Sequence, residues 1–313
     1  MAQSGMAQSG VAQSGMSQSR IALLPDRGVV SVTGEGAREF LDNLITNDMA
    51  LITAASPAIH AGLLTPQGKI LFEFFVVATP AGYLLETALA QTTALAKRLT
   101  LYKLRAKVEI KDAAGEVVVA VLFGDVRARP GGAIAFVDPR HPTMGDRILI
   151  PAPLVGQAIA QTGAARMTAE AYHAHRIACG VPEAGLDYVL GDTFPHEADF
   201  DLQHGVSFTK GCFVGQEVVA RMQNKTVVRK RVVRVTAGAP LTTGADVTAG
   251  DAVIGRIGSV DGPRALAMLR LDRVAEAEDK GVAVAASGLT LSVDAEAVRA
   301  WRQAVANRAA VDL

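Results

Sequence analysis

The sequence predicts an α+β protein: a ferredoxin-like lobe, a second α+β block and a small C-terminal β-barrel. Three observations carry that expectation. From Pro25 to Lys111 the chain runs strand, helix, several antiparallel strands, helix, strand, which is the order of an α+β sandwich. A second series of strands followed by helices begins at Val117. From Lys230 onward, short valine-rich strands alternate with glycine turns, the texture of a small barrel. With 313 residues, half of them hydrophobic, the chain is long enough for two or three such units.

The elements follow in order. Residues 1–20 (MAQSG-MAQSG-VAQSG-MSQSR) repeat with a period of five, lack the basic and apolar regions of a secretory signal, and read as a disordered tail. The first lobe is placed at 21–115. Val29 to Val32 reads as a strand, and Glu35 to Asn47 carries Phe40, Leu41, Leu44 and Ile45 at helical spacing. Ile59 to Leu64 and Lys69 to Ala78 form a hairpin around Thr65-Pro66-Gln67-Gly68. Tyr83 to Thr87, a helix near Gln91 to Tyr102, and the strand Lys107 to Lys111 complete the lobe. The second lobe, 116–228, holds strands at Val117 to Phe123, Ala133 to Val137 and Arg147 to Ile150, then helices at Pro153 to Thr162 and Thr168 to Cys179. Regular periodicity fades between Val181 and Val206, and a short helix is expected at Gly215 to Met222. The barrel and a last amphipathic helix, Ala295 to Arg308, fill 229–313.

The stretch KGCFVGQE, Lys210 to Glu217, is the most informative for function. Cys212 stands between two glycines, two residues after a lysine and ahead of a helix, where backbone freedom presents a side chain and positive charge favours the thiolate. Cys179, among the apolar neighbours of RIACGVP, reads as a small buried hydrophobe. Two cysteines so far apart and so differently placed argue for a reducing compartment rather than a disulfide framework. Lys and Arg total 31, as do Asp and Glu, so no global charge points to nucleic acid, and no apolar run reaches membrane-spanning length. Locally the balance breaks. Residues 183–201 hold six acidic groups and no Lys or Arg, while 210–234 hold seven basic groups and one acidic. Two solvated faces explain this simply; flanking Cys212, the asymmetry also suits steering of an anionic ligand or an acidic partner. Lys210 fits lowering of the thiol pKa, contact with an anionic ligand or a structural salt bridge, and Glu217 fits a cap or an ion pair with Arg221 one turn on. The six histidines make no metal pattern, although His196 and His204 flank the acidic loop.

HRIACGVPEAGLD, FPHEADFDLQHGVSFTKGCFVGQEVVARMQ and VVRKRVVRV together resemble the signature region of the YgfZ-type folate-binding proteins of the aminomethyltransferase (glycine-cleavage T-protein) superfamily. The wording is most similar to the branch of mitochondrial and α-proteobacterial iron–sulfur cluster assembly factors. The resemblance implies two ferredoxin-like lobes and a barrel in a ring around a central hole that binds tetrahydrofolate or a derivative. It further implies a role in cluster assembly or repair centred on Cys212 and Lys210, with Tyr172, Arg176, Gly211, Gln216 and Glu217 toward the folate. Tyr172 would stack on an aromatic group of the ligand, or serve as a core tyrosine with a satisfied hydroxyl. Arg176 would pair with a folate carboxylate or neutralise the acidic loop. The implied compartment is the bacterial cytoplasm, or the mitochondrial matrix in a eukaryote.

Departures from the superfamily pattern sharpen this reading. The aspartate pair of true aminomethyltransferases is replaced by Ile70-Leu71-Phe72-Glu73-Phe74, and Ala178 stands where many relatives carry the acid of LEAG. A single cysteine cannot satisfy a cluster that normally takes four protein ligands, so a cluster on Cys212 is shared with a partner, expected to be an A-type carrier serving client iron–sulfur enzymes, or completed by a small thiol. The alternatives are a folate-dependent one-carbon transferase with Cys212 as nucleophile, and an RNA-binding barrel using Arg229 to Arg234. The second is disfavoured because that run alternates with valines and lacks aromatics for base stacking.

Overall fold

The computed structural model of the protein describes residues 19–124 and 128–311. The expected tail lies outside them except at its end, where the structure departs from the expectation. Ser19 is buried and Arg20–Leu23 forms the first strand, β1. The first lobe contains β2 (Arg27–Thr33), α1 (Ala37–Asp42), β3 (Ala58–Leu64), β4 (Ile70–Thr79), β5 (Gly82–Ala88), α2 (Thr92–Lys103) and β6 (Glu109–Asp112). The second contains β7 (Val117–Phe123), β8 (Ile134–Val137), β9 (Asp146–Pro151), α3 (Val155–Thr162), β10 (Ala165–Arg166) and α4 (Ala169–Cys179). After a segment without helix or strand come α5 (Gln216–Lys225), β11 (Lys230–Ala237), β12 (Asp246–Ala249), β13 (Ala252–Asp261), β14 (Arg264–Arg270), α6 (Leu271–Asp279), β15 (Val284–Ala286), β16 (Leu289–Val293) and α7 (Ala295–Val311).

The first sheet has the order β3-β4-β5-β2-β6 and the second β10-β1-β7-β9-β8. Strand β1 therefore belongs to the second lobe, antiparallel to β7 and parallel to β10, although it precedes the whole first lobe in the chain. The lobe boundary read at residue 21 is corrected accordingly. The third sheet closes as β11-β14-β13-β12-β15-β16, with β11 also paired to β16.

Alternation along β4 shows how the lobes meet. Phe72, Phe74 and Val76 enter the core under α1 and α2 with Phe40, Leu41, Leu95 and Leu99. Phe75 and Val77, on the opposite face, pack with Val119, Val121, Leu149 and Tyr172 of the second lobe. Both faces of the first sheet are thus buried. Its edge strand β3 is buried along its whole length, with Phe200 of the 181–206 segment packed close to Gly62, so the segment without regular structure serves as a cover for an open sheet edge.

The helix expected over Glu35 to Asn47 ends at Asp42. Leu44 and Ile45 are buried as the spacing required, but Ile45 does so through a bridge to Leu63. The turn is fixed by Asn47, whose amide donates to the carbonyls of His60 and His204. Helix α6 was not expected, because its sequence LDRVAEAED looks like a polar connection between strands; its buried side is Leu271, Val274, Ala275 and Ala277. A buried ionic network joins the first and second lobes, where Arg27 pairs with Glu86 and Glu183, and Glu86 with Arg147. Arg27, Arg140, Arg147 and Arg176 are buried there among Glu73, Glu86, Asp138, Glu183 and Asp187.

Candidate functional site

The Lys210 to Glu217 segment is built from two anchors. Helix α1 ends with carbonyl groups that lack helical partners, a natural site for a cation. Lys210 fills it: Nζ donates to the backbone oxygens of Asp42, Ile45 (3.1 Å) and Asn47 (2.9 Å) and lies 3.3 Å from the Asp42 carboxylate. Burial draws the pKa of this ammonium down, and the Asp42 carboxylate offsets part of that effect. On the other side, Phe213 is buried among Leu64, Ile70, Val219 and Val232. Gly215 has φ +81° and sits so close to the β3–β4 turn that a Cβ would come within 2.6 Å of the Thr65 oxygen, so only glycine fits. Cys212 lies between these anchors with its side chain exposed, and Gly211 beside it opens onto free space.

Of the alternatives for Lys210, this matches the structural salt bridge and not contact with an anionic ligand. Its ammonium is enclosed by helix-end carbonyls, with a side chain only 1 % exposed, so it fixes the loop instead of meeting an external anion. The two expectations for Glu217 also fail. Gly215 is the N-cap of α5 without a side-chain cap, and among the described residues Glu217 and Arg221 form no ion pair; Glu217 is exposed in the first turn. Gln216, half-buried, starts the helix.

The charge asymmetry is resolved internally to a large extent. Arg231 Nη1 and Nη2 meet Asp199 (2.9 Å) and Asp201 (2.7 Å), and Arg234 pairs with Asp294. The acidic 183–201 run therefore neutralises part of the basic run that was expected to steer an anion. Burial pushes the Asp199 carboxyl up to about 7, against the lowering by Arg231. His196 is buried with Nε2 on Gln223, and no group of three or more His, Cys, Asp or Glu side chains suited to a metal is found among the described residues.

Tyr172 and Arg176 sit in the central ionic network. The Tyr172 hydroxyl accepts from Arg147 (2.7 Å) and Arg140 (3.2 Å), and its ring stacks on Phe123. Arg176 donates to Val181 O, Asp187 Oδ2 and Ser259 Oγ, each at 2.7 Å, and its Nε lies 3.3 Å from Glu183. Both side chains are buried, which matches the core tyrosine and the neutralising arginine among the alternatives read from the sequence. Glu73, the surviving acid of the strand, points to the same network. It accepts from Tyr188 (2.7 Å) and the Ala184 amide (3.0 Å), with His60 Nε2 at 3.1 Å and Arg140 at 3.6 Å. Burial raises its pKa, but His60, Arg140 and Arg27 outweigh that and hold it well below the usual range, which makes it a poor general base.

The sequence reading missed these network residues. A signal was present: Glu86 and Arg147 interrupt otherwise apolar strands at positions whose alternation points inward. Cys179 packs against the core as its apolar neighbours imply, but it is only half-buried and also has polar partners in His175 and Thr143.

Residues 229–307 match the family described as CAF17, C-terminal beta-barrel domain. The chain is 33% identical over 240 residues to the mitochondrial iron-sulfur cluster assembly factor IBA57 homolog of Mycosarcoma maydis, covering 71% of this chain and 59% of that protein, so it spans less than two thirds of the fungal relative. It is 34% identical over 278 residues to the mitochondrial iron-sulfur cluster assembly factor IBA57 of Homo sapiens, covering 80% of this chain and 77% of the human protein. In structure it resembles the glycine cleavage system aminomethyltransferase T from Bartonella henselae, with a TM-score of 0.70 at 17% identity over 89% of this chain and 85% of the other. That likeness concerns the fold.

Proposed function

Because this chain belongs to the IBA57 family of iron–sulfur cluster assembly factors, we propose that it supports cluster assembly or repair by presenting Cys212 to a cluster shared with a partner protein. The observation that carries this reading is the exposed sulfur of Cys212 between a buried lysine and a buried phenylalanine. Such an arrangement holds a ligand atom at a defined place on the surface while leaving its outer side free. One thiolate fills one coordination position, so the partner supplies the rest. An A-type iron–sulfur carrier is the proposed partner and client iron–sulfur enzymes the proposed recipients. The relatives are named mitochondrial, and the reading places this chain in the mitochondrial matrix of a eukaryote or the cytoplasm of a bacterium. Among the described residues no helix is long and apolar enough to cross a membrane.

Tetrahydrofolate is the proposed small-molecule ligand, and the residues assigned to it divide. Gly211, Gln216 and Glu217 lie on the loop and helix start beside Cys212 and fit a contact. Tyr172 and Arg176 do not fit a direct contact, since both are buried and the Tyr172 hydroxyl and Arg176 Nη atoms are held by protein partners. When bound, a reduced folate supplies a one-carbon carrier. Glu73, held well below the usual carboxylate range, is a poor general base for such transfer, which favours the assembly role over the transferase alternative.

The test is to mix the protein with a purified A-type carrier, iron and sulfide, and to follow visible absorbance. Wild type is expected to yield a coloured complex of the two proteins and Cys212→Ser to lose it. An unchanged complex with the serine variant rules out ligation by Cys212.

A further inference from the structure

The molecule carries a second sulfur with chemistry of its own. Cys179 closes α4, and its Sγ lies 3.5 Å from Nε2 of His175, one turn earlier, and 3.1 Å from Oγ1 of Thr143. Nε2 is also 2.8 Å from the Thr143 carbonyl, which only accepts, so this nitrogen carries a proton, and its single N–H is shared between that carbonyl and the sulfur. Burial opposes ionisation of the thiol. The hydrogen bonds of His175 and Thr143 and the charges of His175 and Arg234 outweigh it and bring the pKa of Cys179 down. The same contact raises that of His175.

Cys179 also lines a cavity of about 630 Å³ bounded by α4, β11 and α7, together with Arg234, Trp301 and His196. That volume is typical of small-molecule sites. His196 is 1 % exposed, and its Nδ1 has no hydrogen-bond partner in the protein. A sulfur with a donor pair, a cavity of ligand size and a buried imidazole nitrogen left unpaired coincide at one place. Cys212 does not line this cavity.

We propose that Cys179 is a second functional thiol, a nucleophile that forms a mixed disulfide with a low-molecular-weight disulfide whose retained half occupies this cavity. The Cys179 thiolate attacks one sulfur of the R–S–S–R reagent. The new bond joins Sγ to that sulfur, the old S–S bond breaks, and the other half leaves as a thiolate that takes a proton from water. Cys179 is oxidised and the departing half reduced, so no further oxidant enters. His175 and Thr143 act as positioning residues that stabilise the attacking thiolate by hydrogen bonding.

The experiment exposes the full-length protein to oxidised glutathione at neutral pH and measures each cysteine separately by peptide mass spectrometry. Cys179 is expected to be modified, and His175→Asn to slow that reaction about two- to fivefold while leaving the rate at Cys212 unchanged, since loss of the imidazole donor reduces the thiolate at Cys179 alone. Ala300→Trp, on the exposed side of the cavity wall, is expected to slow glutathione at Cys179 but not methyl methanethiosulfonate, which is too small to need the space. An unmodified Cys179 in the folded protein, a rate indifferent to His175→Asn, or equal effects of Ala300→Trp on both reagents overturns the proposal. The Cys212 reading stands or falls independently of each of these outcomes.

Discussion

Cys212 and Lys210 sit two residues apart and do opposite things. The cysteine makes no buried contact, so Cys212→Ser is expected to remove the coloured complex yet change stability by no more than about 0.5 kcal/mol in urea unfolding. Lys210→Met has the reverse signature. It leaves several α1-end carbonyls without a donor and is expected to cost about 1–3 kcal/mol, read as a lower urea midpoint. The sequence revealed the sulfur, because glycine and charge around a cysteine argue against packing. It did not reveal the task of the lysine, since the carbonyls it meets lie more than 160 positions away in the chain. Tyr172 and Arg176 make the same point. Their residue types suit a ligand, and only the three-dimensional neighbours show that protein groups already occupy them.

At the scale of elements, the segment between Val181 and Val206 is held by its polar contacts. Asp187 accepts from Arg176 on α4, from the Glu183 amide, and from the Ser259 amide on β13, so one carboxylate ties helix, segment and barrel. Asp187→Asn replaces one acceptor with a donor facing these groups and removes the charge opposite buried Arg176. It is expected to lower stability by about 3–5 kcal/mol in denaturant titration. Most of the elements were legible, since the nearly continuous apolar run of β4 and the apolar spacing of α2 and α4 follow from local pattern alone. Helix α1 was read too long because Leu44 and Ile45 keep helical spacing, while the Asn47 hydrogen bonds that end the turn are long-range. Helix α6 was missed because only two of its nine residues, Leu271 and Val274, are large and apolar, and five are charged.

Across the whole molecule, the centre couples stability to acidity. The folded pKa values of Glu73, Asp138 and Glu183 are all depressed, as neighbouring arginines and, for Glu73 and Glu183, histidines outweigh the cost of burial. Groups depressed on folding stabilise the native state above their ordinary values of 4.5, 3.8 and 4.5, and lose that contribution as pH falls through the folded values. Asp199, raised on folding to about 7, acts the other way and adds stability as pH falls from neutral, so the melting temperature is expected to rise slightly from pH 7 to about 5 and then to drop steeply below about 4, with a shallower drop in Glu73→Gln. An acid limb equally steep in that variant would remove Glu73 from the explanation. The position of β1 has its own consequence for anyone dividing the gene. A fragment that starts near residue 116 lacks an interior ribbon of its sheet, and one that stops there carries that ribbon with nowhere to lay it. The two halves are best expressed together, because β1 waits during synthesis for the β7 residues Ala120 to Phe123 that it pairs with.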